Sequence, residues 1–128
     1  MGRTRGFDTD AVLATAAGLF ARLGYEATSV DDLVRELGVH RGSLYGAFGS
    51  KRGLFGAVLD HLATRPELST DVAKDTVLVA LMELAPHDPA VREQAATLIP
   101  TVFGADPRAI GARLLTRAEI GPQPGVRP

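Results

Sequence analysis

The sequence predicts an all-α fold, on three observations. Apolar residues recur at spacings of three and four in one segment after another, and glycine or proline punctuates the segment ends. No stretch alternates apolar and polar residues for long enough to make a strand. With 128 residues, the chain has room for one ordinary domain or two very small ones sharing a core.

The first helix is expected from about Thr9 to Leu23, capped by Asp8, with Val12, Leu13, Ala16, Leu19, Phe20 and Leu23 on one face. Phe7 precedes the cap as a staple against the first turn, and Gly24 closes the last one. A second helix starts at a Ser29 or Thr28 cap, with Asp32 in the acidic position of a capping-box-like start. Val30, Leu33, Val34 and Leu37 make its buried stripe, Gly38 breaks it, and Val39 plugs the corner to the next helix. From Arg41 to about Phe48 the apolar stripe narrows to Leu44 and Phe48, so this third helix is expected to present its other face.

Gly49 stops the third helix and Ser50 caps a fourth, which Leu54, Phe55, Val58, Leu59 and Leu62 carry to about Ala63. Three more helices are expected beyond Pro66. The first runs from about Asp71 to Ala85, with Val77, Leu78, Leu81 and Met82 apolar and Pro86 as its stop. The others open on Asp88-Pro89 and Asp106-Pro107, an oxygen acceptor followed by a proline whose missing N–H costs nothing there. They extend to about Phe103 and Ala118, with Pro100 expected to kink or shorten the former. The tail GPQPGVRP, from about residue 121, is expected to be disordered.

Composition removes several function classes. The chain lacks cysteine, which excludes disulfides, thiol nucleophiles and sulfur-ligated zinc. His40, His61 and His87 are far apart with no ligand-spaced partner, so no metal or other cofactor is expected. Ser43, Ser50 and Asp32 form no nucleophile elbow or acid–base pair, which argues against an enzyme. No apolar run approaches a membrane span, and the start MGRTRGFDTD lacks a leader's apolar segment, so the expected location is cytoplasmic. The net charge is −1. Up to Arg65 there are eight basic and seven acidic residues, and from Pro66 onward six and eight, so any anion-binding patch is local and belongs to the front half.

Two short helices broken at Gly38 and followed by a capped helix are how a helix-turn-helix is written in sequence. The expected partner is double-stranded DNA, with residues 1–50 as the DNA-binding domain and 51–128 as a further helical region. The outward residues His40, Arg41, Gly42, Ser43 and Ala47 are the candidate base readers. Arg41 is suited to guanine or to a phosphate, Ser43 to either base edge, and the Ala47 methyl to thymine. Thr28 with the amides at the start of the second helix, Tyr45, Lys51 and Arg52 are the candidate phosphate contacts, with Tyr45 alternatively covering the core edge. Arg3 and Arg5 form a basic arm suited to a minor groove. Phe55, Leu59, Leu78, Met82, Leu98 and Phe103 are either core or the lining of a ligand pocket.

This run resembles the DNA-binding domain of the TetR family of bacterial transcriptional regulators, from Phe7 to about Phe55. The likeness rests on Ala16, Phe20 and Gly24, the Thr28-Ser29 cap with Asp32 and Leu33, Gly38-Val39, and above all LYGAFGSK, which matches the family's Leu-Tyr-x-x-Phe-x-x-Lys. It implies a homodimer, a palindromic operator and repression relieved by a small-molecule effector, with Tyr45 and Lys51 on phosphates and Arg41, Gly42 and Ser43 on the reading helix. Gly46 and Ala47 depart from the aromatic or histidine that the family often carries there. By the same resemblance, residues 51–128 are expected to be a reduced helical dimerisation and ligand-binding region without the family's last two helices, which build its dimer bundle, as in a short natural variant or a truncated product. Pairing would then use the faces around Val91, Ala95, Leu98 and Val102, or Ile110 and Leu114. The rival expectation is a helical interaction module that pairs with another regulator without productive DNA binding.

Overall fold

Among the residues that the computed structural model describes, 7–65 and 70–121, seven helices follow one another and no strand occurs. They are α1 (Thr9–Leu23), α2 (Val30–Leu37), α3 (Arg41–Phe48), α4 (Lys51–Ala63), α5 (Asp71–Val79), α6 (Pro89–Phe103) and α7 (Arg108–Arg117). A wider π turn over Ala80–Leu84 continues α5. The basic arm of Arg3 and Arg5 and the tail beyond Gly121 lie outside the described residues.

Local chemistry sets most of the helix starts. The Asp8 carboxylate accepts the N–H groups of Asp10 and Ala11, and Ser50 accepts that of Gly53. Ser29 and Asp32 close a reciprocal box, Asp32 N–H to Ser29 Oγ at 2.9 Å and Ser29 N–H to Asp32 Oδ2 at 3.0 Å. Each such cap contributes about 0.5–2 kcal/mol by answering an amide that the helix leaves unbonded. Gly38, at φ 67°, makes the left-handed turn between α2 and α3 that a side chain would resist.

The core forms where α1 meets α4 and α5. Phe20 and Tyr25 set their rings against Phe55, with centroids 5.1 and 5.3 Å apart. Leu33 from α2 and Leu44 from α3 plug into this centre, while α6 packs on α4 and α5, and α7 on α5.

Several expectations are corrected by the packing. α1 is covered on two sides, which extends its buried face to Ala17 and Ala21 and leaves Leu23 exposed. The Phe7 ring stacks on Phe48 of α3, 6.4 Å away, tying the chain start to the third helix. α6 runs unbroken through Pro100, because that turn faces solvent and water can satisfy the carbonyl that proline leaves without a donor. Val91, Ala95, Leu98 and Val102 are core residues and offer no dimer face, whereas Ile110 is half-buried and Leu114 exposed. Phe55, Leu59, Leu78, Leu98 and Phe103 are also core, and Met82 is exposed, so the proposed pocket lining is filled space. An open groove of about 650 Å³ lies elsewhere, between α4 and α6, lined by Phe48, Arg52, Gly56, Asp60, Ala90 and Gln94 among others. No helix among the described residues is long and apolar enough to cross a membrane.

Candidate nucleic-acid interface

α3 buries a single residue, Leu44, with Ser43, Ala47 and Phe48 half-buried. His40, Arg41, Gly42, Tyr45 and Gly46 are exposed. A helix anchored by one leucine and braced by Phe48 shows most of its circumference to solvent, as the narrow stripe requires. His40 stands at the cap position but makes no side-chain capping bond, and no acidic residue lies in the first turn. The first amides of α3 therefore add positive potential to an exposed surface.

Gly42 and Gly46 sit one turn apart on that surface. Neither has a positive φ, and a Cβ built on either meets nothing within 4 Å. The fold does not demand glycine at these positions, although each costs a helix about 1 kcal/mol relative to alanine.

The Arg41 guanidinium is paired with the Asp31 carboxylate of α2, and both side chains remain exposed. The first turn of α2 carries Asp31 and Asp32. The Ser29 N–H, and after it the Arg35 guanidinium, hold the Asp32 carboxyl below its usual range, so this helix start is anionic and disfavours phosphate.

Three expected phosphate contacts are engaged inside the molecule. Thr28 is fully buried, and its hydroxyl donates to the Gly24 carbonyl at 2.6 Å, which removes it from the interface. Lys51 donates to the carbonyls of Tyr25 and Thr28, both at 3.1 Å, with its ammonium 4.3 Å from the centroid of the Tyr25 ring. Arg52 forks onto Asp88, Nε to Oδ2 at 2.7 Å and Nη2 to Oδ1 at 3.3 Å. That guanidinium, with the Val91 N–H, lowers the Asp88 carboxyl to about 2, and Asp88 in turn raises Arg52. Tyr45, 41% exposed, keeps its place on the outer surface beside α3's glycines.

Four further residues bond or pack against these candidates or the loop before α2 without being among the contact residues that the sequence marks. Tyr25 packs its ring under Lys51, and burial followed by Glu26 raises its phenol above the usual value. Asp31 holds Arg41. Asp88 holds Arg52, and Glu83 from the π turn accepts the backbone N–H groups of Tyr25 and Glu26. The Asp88-Pro89 helix start was the one visible signal among these, because a cap carboxylate has a second oxygen edge to offer.

Residues 12–58 match the model of the tetR family of bacterial regulatory proteins. The HTH-type transcriptional regulator YezE of Bacillus subtilis is 51% identical over 55 residues, 43% of this chain and 28% of that protein. The HTH-type transcriptional repressor ComR of Escherichia coli is 50% identical over 64 residues, 50% of this chain and 30% of its own length. BdcR of Escherichia coli, another HTH-type transcriptional repressor, is 39% identical over 75 residues, 58% of this chain and 38% of BdcR. The matched stretch thus spans well under half of these relatives. No solved structure matches the chain significantly. The match to the tetR family of bacterial regulatory proteins thus falls on most of α1, on the helix-turn-helix of α2 and α3, and on the start of α4.

Proposed function

We propose that the protein is a DNA-binding transcriptional regulator that acts as a repressor. The observation that carries this reading is the outward face of α3, where Arg41, Gly42, Tyr45 and Gly46 are exposed while Leu44 anchors the helix from behind. An α-helix fits the major groove, and a face of backbone, guanidinium and phenol supplies hydrogen bonds to base edges and phosphates. Arg41 exchanges Asp31 for a guanine edge, and Ser43 and Ala47, half-buried at the flank, contact neighbouring positions. Phosphates are held by Tyr45 and the exposed amides that open α3.

The operator is palindromic and the active species a homodimer whose two reading helices lie ~34 Å apart, one turn of B-DNA. Pairing uses α7, which leaves Leu114 and Leu115 exposed, with Ile120 just beyond it. A small molecule that enters the groove between α4 and α6 and alters this spacing relieves repression. The interaction-module reading draws its support from Lys51 and Arg52, whose cationic groups are committed within the chain.

Selection of bound duplexes from a random pool tests the proposal. A recovered palindrome is the expected result, and its half-site spacing reports the dimer geometry. Absence of enrichment from the pool rejects DNA recognition in favour of the interaction module.

A further inference from the structure

The loop between α1 and α2 is bonded on both sides by groups from elsewhere in the chain. On its amide side, Glu83 accepts Tyr25 N–H at 3.1 Å and Glu26 N–H at 2.9 Å, from 58 and 57 residues away. On its carbonyl side, Lys51 takes Tyr25 and Thr28. Thr28 closes the loop on itself through the Gly24 carbonyl. Gly24 has a φ of 94°, and a Cβ there would stand 2.8 Å from Glu83 Oε2, so the close approach of that carboxylate has a backbone shaped to admit it.

Glu83 sits in the π turn that ends α5, where Ala85 N–H reaches back five residues to the Ala80 carbonyl. Such widened turns recur at functional positions because they re-aim a side chain without ending the helix. The segment after it is also tied down. His87 Nε2 meets the Glu83 carbonyl at 2.8 Å, and Asp88 caps α6 while gripping Arg52. Residues 83–88 thus hold the front helices at two points, through the 25–26 amides and through Arg52 on α4.

We propose that Glu83 is a positioning residue that lets the back half set the orientation of α2 and α3 on DNA. The inference rests on the DNA-binding reading above. A carboxylate on two consecutive amides resists rotation of the loop that launches α2, and α3 follows α2 through the tight turn at Gly38. Base reading requires that orientation, whereas loose phosphate contact tolerates its loss.

The test compares Glu83→Gln and Glu83→Ala with the wild type, using the selected duplex and a scrambled duplex of the same length and composition. Thermal unfolding of each variant is followed alongside. Glutamine keeps one acceptor for the amide pair and alanine keeps none. The expected result is an affinity for the selected duplex that falls about tenfold in Glu83→Ala and less in Glu83→Gln, with binding of the scrambled duplex unchanged. Equal fractional losses on both duplexes, tracking the folded fraction, overturn the positioning role, as does unchanged affinity in both variants. A wild type that binds the two duplexes alike rejects the DNA-recognition reading and the inference with it.

Discussion

α3 buries one side chain and α7 buries none, yet the two helices present different chemistry to solvent. Around α3 the exposed groups are a guanidinium, a phenol and two glycines. On and beyond α7 they include Leu114, Leu115 and Ile120, 37 to 45% exposed. The attachments differ as well. α3 is anchored by Leu44 in the core, whereas α7 is fastened to α5 by Arg113 on Asp75, two bonds of 2.8 Å, with Arg117 on the same carboxylate. Apolar anchoring leaves polar groups facing out, which suits a nucleic acid. Charge anchoring leaves leucines facing out, which suits a second protein surface.

The largest break in this comparison comes from the apolar anchor. Leu44→Ala truncates the one fully buried side chain of α3 and is expected to cost about 2–5 kcal/mol of stability. Denaturant unfolding measures it, and a loss below that range would show that Phe48 and the flanking turns hold α3 without Leu44.

The next effect falls on recognition. Arg41→Ala is expected to cost about 1–3 kcal/mol on the selected duplex if the guanidinium pairs with guanine, and equal losses on scrambled DNA would assign it to phosphate. Asp31→Asn is the converse. It releases Arg41 and removes a negative charge beside the duplex, so affinity rises for both duplexes, measured by titration at fixed salt.

The charge anchor of α7 is weaker and more exposed to solvent competition. Asp75→Asn leaves Arg113 facing an amide and is expected to cost about 1–2 kcal/mol, seen as faster amide exchange at Leu114 and Leu115 with the α1–α4 core unchanged. Unaltered exchange there would transfer the attachment of α7 to Ala109 and Ile110, which pack against the core.

Acid probes the other Arg–Asp fastening, between α4 and α6. The Asp88 carboxyl is lowered from 3.8 to about 2 in the fold, so protons favour the unfolded chain. Its stabilisation is complete above about pH 4 and is lost as the pH falls through about 2. The unfolding midpoint of the wild type should decline across that window, and Asp88→Asn should flatten this part of the profile.

How much of this was legible in the sequence follows the range of each interaction. Asp8, Ser29 with Asp32, Ser50 and Asp88 mark helix starts because a cap bonds its own first turn. The exposure of α3 was legible too, since one leucine and one phenylalanine cannot bury more than a stripe. Glu83 on Tyr25, Arg52 on Asp88 and Arg113 on Asp75 were not, because each pair spans 36 residues or more and depends on how the helices pack. Thr28 misled for a related reason. Its position beside Ser29 looks like a cap, while its hydroxyl satisfies itself on a carbonyl four residues back and so can be buried at no polar cost.

The smallest expected effect is also the most specific to the exposed face of α3. Nothing in the fold requires glycine at 42, so Gly42→Ala should stabilise the protein by about 0.5–1 kcal/mol through helix propensity. If the bare backbone exists to approach a duplex closely, the same substitution should weaken binding to the selected sequence, because the new methyl stands between helix and groove. Stability and affinity then move in opposite directions, a combination that a misfolded or loosened variant does not produce. Thermal unfolding and duplex titration on the one variant measure both signs, and a gain in stability with undiminished affinity would remove close approach as the reason for the glycine.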